Sequence, residues 1–264
     1  MYETRYHRAT SLAEAAALFN ADARYISGGQ TLIPTMKQRL AAPSDLIDIA
    51  GLPELRGIAA TADGVAIGAA MTHAEVSASD AVRKAIPALA ALAGTIGDPA
   101  VRHMGTIGGS IANNDPAADY PAALVALGAK VHTDRRAVAA EDFFTGLFST
   151  ALEDGEIVVR VEFQVPAKAA YEKFRNPASR YAMAGVFVAV LKDSGIRVAV
   201  TGAGNNGVFR ATGIEQALAA SWSPAAVDAV TIDAGGMLSD IHGSAAYRAN
   251  LVKVMAKRAV AAAG

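Results

Sequence analysis

The chain has no cysteine. That absence excludes disulfides, thiolate zinc sites, iron–sulfur ligation within this chain and cysteinyl attachment of a cofactor. Long apolar runs are missing too. Hydrophobic content is 52%, much of it alanine, yet no uninterrupted stretch reaches the roughly eighteen residues a membrane span needs. Neither sign of charge dominates: the formal net charge is −1, which leaves no electrostatic footprint for nucleic acid. The N-terminal M-Y-E-T-R-Y-H-R is polar and lacks an apolar core, which argues against secretion. Histidine is sparse. His7, His73, His103, His132 and His242 show neither i,i+4 nor H-E-x-x-H spacing, so no metal site is expected. No Ser–His–Asp order or paired-carboxylate motif argues for hydrolysis. These exclusions leave a cytoplasmic small-molecule protein, and 264 residues suffice for one large domain or two modest ones.

What is present is glycine in pairs. The segment Y-I-S-G-G-Q-T-L-I-P (25–34) and the segment M-G-T-I-G-G-S-I-A-N-N-D-P-A-A-D-Y-P (104–121) each set a Gly-Gly pair between an apolar stretch and a hydroxyl residue. Neither follows G-x-G-x-x-G or G-x-x-x-x-G-K-[ST], so the common nucleotide folds are not indicated. Glycines let backbone N–H groups approach an anion closely, and Thr31, Thr106 and Ser110 add hydroxyl donors. Converging on one diphosphate is the chemistry such loops share. The alternatives are an ordinary tight turn for S-G-G-Q-T and a strand end with a hairpin for T-I-G-G-S.

Periodicity supplies the surrounding elements. S-L-A-E at Ser11–Glu14 predicts a capping box and a helix through Phe19. Residues 24–26 read as extended, 32–40 as a helix and 45–49 as a buried strand, a unit that puts Thr31 near a helix N-terminus. A hairpin is expected to turn at Asp63-Gly64, Thr72 and Glu75 to cap a short helix, and Pro87 to interrupt a helix over 80–92. A helix over 117–127 and a strand over 129–133 follow, then a strand ending at Pro166. Two strands joined by a Lys192–Gly195 turn and helices at 213–220, 224–230 and 246–262 complete an α+β C-terminal unit. The boundary is placed at residues 166–170.

Four pieces in this order resemble the FAD-binding medium subunit of the molybdenum hydroxylases, the group of carbon monoxide and xanthine dehydrogenases. They are S-G-G-Q-T-L-I-P-T-M-K-Q-R-L (27–40), D-P-A-V-R-H-M-G-T-I-G-G-S-I-A-N-N-D-P-A-A-D-Y-P (98–121), Y-E-K-F-R-N-P-A-S-R-Y-A (171–182) and D-I-H-G-S-A-A-Y-R (240–248). The resemblance implies an α+β fold of the vanillyl-alcohol-oxidase type. Its FAD-binding domain would span 1–165, in subdomains of about 1–55 and 56–165, followed by a small C-terminal domain at 166–264.

It also implies site residues. Ser27, Gly28, Gly29, Gln30 and Thr31 would wrap the FAD pyrophosphate from one side, and Thr106, Ile107, Gly108, Gly109 and Ser110 from the other. Asp119 matches a position near the adenosine half, and Lys173 and Tyr181 match positions approaching the flavin ring. Ser27 stands where many relatives have alanine. No histidine or cysteine for a covalent flavin link occurs in these loops, so FAD would be non-covalent. Residue by residue, alternatives stand beside this reading. Asp115 and Asp119 are candidate helix caps, Lys173 and Arg175 candidate solvated strand charges, Tyr181 a candidate core tyrosine. His103 is either a cofactor contact or a structural histidine. By the same resemblance, molybdopterin sits on a large partner subunit and 2Fe-2S clusters on a small one. The complex would be a dimer of heterotrimers that passes electrons through FAD to an external acceptor, NAD or a quinone. A self-contained FAD oxidoreductase and a flavin-free assembly subunit are the alternatives.

Overall fold

Three larger sheets, laid out in chain order, carry the molecule, with one two-stranded hairpin beside them. The computed structural model describes residues 1–264. The first unit runs β1 (Arg5–Arg8), α1 (Leu12–Leu18), β2 (Ala23–Ile26), α2 (Leu32–Lys37) and β3 (Asp45–Asp48). Its strands are parallel in the order β1-β3-β2. The turn after β2 therefore opens at the carboxyl edge of a parallel strand, the usual place for a ligand in such units.

The second unit begins with β4 (Ile58–Ala60) and β5 (Gly64–Gly68). A helical stretch follows: α3 (His73–Ala78), α4 (Asp80–Ala85), α5 (Pro87–Gly94), α6 (Pro99–Met104), α7 (Ile107–Asn113) and α8 (Tyr120–Ala126). It closes with β6 (Lys130–Thr133), β7 (Ala137–Ala139), α9 (Ala140–Phe143), β8 (Phe144–Gly146), β9 (Ser149–Thr150) and β10 (Val158–Gln164). Five of these strands form an antiparallel sheet, β4-β5-β10-β6-β7. Every residue of α8 is buried, as a helix apolar all round requires.

The third unit contains β11 (Lys168–Arg175), β12 (Ala182–Leu191), β13 (Gly195–Thr201), β14 (Phe209–Arg210), α10 (Thr212–Ala220) and α11 (Ala245–Ala263). Its four strands are antiparallel in sequence order. All of β12 except Val190 is buried, because both faces of this sheet are covered. Phe187, Ala189 and Leu191 join the cluster around α8, while Ala184, Val186 and Val188 join the cluster under α11. A side-chain period of two sorts them. The apolar cluster thus crosses Pro166 without a gap.

Local chemistry explains where the elements depart from the periodicity. The box at Ser11 is half formed: its hydroxyl accepts from Glu14 N–H, but the Glu14 carboxylate turns to Thr10. The box at Thr72 is complete. The helix read over 32–40 stops at Lys37, since Arg39 takes φ 61°. Pro87 starts a helix rather than kinking one. The helix read from 117 begins at Tyr120, because Asp115 holds Ala117 N–H in an Asx turn. Residues 224–229 are 3-10 rather than α. No helix is long and apolar enough to cross a membrane.

Candidate functional site

The first glycine motif forms the turn from β2 into α2. Gly29 sits at φ 67°, a left-handed conformation that glycine adopts without strain. Gly28 is glycine for another reason: a Cβ there would stand 2.2 Å from the Met104 carbonyl oxygen and 2.7 Å from the Gly105 Cα. The two motifs touch at this point. From Ser27 to Leu32, no backbone N–H donates a hydrogen bond within the chain. The Thr31 hydroxyl makes no capping bond to α2, and the enclosed Ser27 Oγ has no partner. Left dry, such groups cost about 1–3 kcal/mol each. Gathered in one turn, these N–H groups are free to meet an anion.

The second motif is a helix start, not the strand end with a hairpin that was the alternative. Thr106 caps α7, its hydroxyl accepting from Gly109 N–H at 3.1 Å. Ile107 and Gly108 do not face the cleft. Their N–H groups donate to Met71 O (3.0 Å) and Ala69 O (2.9 Å), and a Cβ on Gly108 would meet the Ala69 Cβ at 2.6 Å. They back the wall that Thr106, Gly109 and Ser110 present. Helices α6 and α7 were not legible in the sequence, because glycine and proline break the apolar pattern that would have revealed them.

Between the motifs lies a cleft of about 1190 Å³, larger than the roughly 300–1,000 Å³ of ordinary ligand pockets and suited to an extended dinucleotide. Ser27, Gly28, Gly29, Gln30, Thr31, Thr106, Gly109, Ser110, Asp119 and Tyr181 all line it. Ile107, Gly108 and Lys173 do not. His103 is exposed and turns its Nδ1 to Pro99 O at 2.7 Å. Tyr181 lines the cleft, and its hydroxyl accepts from Asn176 Nδ2 at 3.1 Å.

Asp119 occupies the N-cap position of α8 but caps nothing with its side chain. Instead its Oδ1 accepts from the Tyr171 hydroxyl (2.6 Å) and from Lys173 Nζ (2.8 Å). Both side chains of the ion pair are nearly fully enclosed, so Lys173 is no solvated strand charge. Burial, and then the Asp119 charge, push the Tyr171 phenol well above its ordinary range. It is a fixed donor. With Oδ1 taken twice, the remaining oxygen of Asp119 is held as an acceptor beside the cleft. Tyr171 was not singled out from the sequence. A further signal lies at Gly185, opposite Lys173 in β12, where a Cβ would fall 2.3 Å from the Tyr171 hydroxyl.

A family described as the FAD binding domain in molybdopterin dehydrogenase matches residues 2–167. The chain belongs to this family. It is 38% identical over 277 residues to the carbon monoxide dehydrogenase medium chain of Hydrogenophaga pseudoflava, covering 98% of this chain and 96% of that one. It is 35% identical to the nicotine 6-hydroxylase medium subunit of Paenarthrobacter nicotinovorans, covering 98% of this chain and 97% of that one. A solved structure of carbon monoxide dehydrogenase from H. pseudoflava superposes with a TM-score of 0.90 at 36% identity, covering 99% of this chain and 97% of that one. The α+β fold expected from the resemblance is the one found. The chain is an FAD-binding oxidoreductase subunit of the molybdenum hydroxylase type, and molybdopterin and iron–sulfur clusters belong to other subunits. The free N–H run, the orphaned Ser27 hydroxyl and the size of the cleft fit a bound FAD.

Proposed function

We propose that this medium subunit holds FAD non-covalently in the cleft and passes electrons from the iron–sulfur clusters of a small partner to an external acceptor, NAD or a quinone. Bound FAD supplies a carrier that accepts electrons and releases them to an acceptor. The chain's own residues bind and orient. The Ser27–Leu32 amides and the hydroxyls of Thr31 and Ser110 hold the diphosphate, and Thr106 fixes the amide of Gly109. Asp119 receives a cofactor hydroxyl, steadied by Tyr171 and Lys173, and Tyr181 forms wall at the ring. Ile107 and Gly108 act from behind, by packing. The observation that carries this reading is the unbroken run of unused N–H groups in a turn that touches the second motif.

Division of labour follows from the same site. Residues 1–165 hold the cofactor, and residues 166–264 contribute Tyr171 and Lys173 from β11 and Tyr181 from the turn between β11 and β12. The relatives named above take different substrates by name, carbon monoxide and nicotine. Substrate choice is therefore a property of the large, molybdopterin-bearing partner. The assembly is a dimer of heterotrimers in the cytoplasm. Co-expression with the adjacent large and small chains, followed by size exclusion, is the test. Equal amounts of three chains, carrying flavin, are expected; a flavoprotein that elutes alone, its flavin indifferent to the others, refutes the reading.

A further inference from the structure

Ser27 is not alone in keeping an unused polar atom beside the cleft. His73, the first residue of α3, is 5% exposed, lines the cleft, and has an enclosed Nδ1 with no hydrogen-bond partner. The other ring nitrogen, Nε2, makes no hydrogen bond within the chain but is not enclosed. It lies 2.7 Å from where a Cβ on Gly105 would stand, so the missing side chain of Gly105 is what leaves it room. Gly105 is also the residue against which Gly28 packs. The imidazole therefore reaches the junction of the two motifs. Its backbone is pinned there too, His73 N–H donating to Gly105 O at 2.9 Å, and its ring packs on Tyr120 at 5.4 Å.

Burial, and then the charge of Arg102, push His73 down to about 4, so near neutral pH the ring is uncharged and carries a single N–H. A proton on enclosed Nδ1 would be a buried donor without an acceptor, whereas a bare lone pair there costs less. The proton belongs on Nε2, at the cleft. We propose that His73 is a further cofactor-holding residue, donating from Nε2 to a phosphoryl oxygen of the FAD diphosphate where Gly28 meets Gly105. This rests on reading the cleft as the FAD site.

The test titrates the FAD-free full chain with FAD and, separately, with ADP, which keeps the diphosphate and lacks the flavin. His73→Leu fills similar space without a donor, and His73→Gln returns an N–H near the place of Nε2. His73→Leu is expected to weaken both ligands by the same factor, roughly ten-fold or more. His73→Gln should recover most of the loss. The FAD-free Leu variant should melt no lower than wild type, since the orphaned nitrogen is gone. Unchanged affinity in His73→Leu overturns the inference, as does a loss confined to FAD. A lowered melting point that His73→Gln does not restore would mark a structural histidine instead. If His73→Leu fails to fold, the imidazole nitrogen shifts of the wild-type chain decide: addition of ADP must move Nε2, and its indifference refutes the contact. An inert His73→Leu beside a Gly109→Val variant that has lost FAD removes this inference and leaves the site standing. A wild-type chain that binds neither ligand removes both.

Discussion

Gly28 and Gly108 are glycine because backbone atoms stand where their side chains would go; Gly109 is crowded by one side-chain hydroxyl alone. A Cβ at Gly109 would meet only the Thr106 hydroxyl, at 3.0 Å, yet glycine inside a helix costs about 0.5–1 kcal/mol relative to alanine. The space it keeps open faces the cleft. Gly109→Val is therefore expected to give folded, colourless protein, whereas Gly108→Val, driven into Ala69, should lose stability before it loses flavin. Circular dichroism with flavin content separates the two, and a Gly109→Val chain with stoichiometric FAD at wild-type affinity would refute the diphosphate assignment. Asp119 and Lys173 invite a paired experiment. Lys173→Met leaves an enclosed carboxylate uncompensated and should cost roughly 3–5 kcal/mol in urea unfolding of the FAD-free chain. Adding Asp119→Asn, which keeps an acceptor for Tyr171, should return much of that stability while FAD affinity stays low. Affinity returning in step with stability would show that Asp119 only supports the fold.

At the scale of elements, the hairpin β8–β9 is tied to α7 by a single residue. Asn114 ends α7 in a left-handed conformation, φ 43°, and donates from Nδ2 to Gly146 O and Ser149 O, both at 2.8 Å. Its own carbonyl accepts from Phe148 N–H at 3.1 Å, which sets Phe148 in the cleft wall. Asn114→Gly keeps the conformation and removes the bonds to two carbonyls, so a loss on the order of 1–3 kcal/mol in thermal unfolding is expected, with faster FAD release. A release rate unchanged from wild type would separate the hairpin from the site. Acid sensitivity has a similar local origin. Hydrogen bonds from Arg136, with others from Glu153 N–H and Thr133, hold Glu156 down to about 2 against an ordinary 4.5. A carboxylate depressed in the folded state stabilises fully above its unfolded value and loses that contribution as pH falls through the folded one. The melting temperature should fall between about pH 4.5 and 2, and Glu156→Gln should flatten that part of the curve.

For the whole molecule, the sheet of β11–β14 joins cofactor site to C-terminal helix. One face of β12 packs on the α8 cluster and the other under α11, so Tyr171 and Lys173, from the neighbouring β11, arrive beneath Asp119 already fixed. A medium subunit with no cysteine cannot hold the clusters that feed it. The isolated chain loaded with FAD should therefore oxidise no purine, aldehyde or carbon monoxide, while its chemically reduced flavin reoxidises with an added acceptor. Turnover of any such substrate by this chain alone would revive the self-contained enzyme.

Short-range chemistry was legible in the residues themselves. The Thr72–Glu75 cap, the paired glycines, the buried strand at Asp45–Asp48 and the continuous apolar run of β12 each depend on neighbours a few positions away. The order of four motifs sufficed for the family. Which glycines face a ligand was not legible. Gly108 and Gly109 are adjacent and chemically identical, and only the approach of Ala69 to one of them assigns their different tasks. Nor did spacing reveal that Lys173 would be enclosed against Asp119, fifty-four positions away, or that His73 would face Gly105. Those outcomes depend on how three sheets pack, because burial and the partner a polar atom meets are set by contacts between segments far apart in the chain.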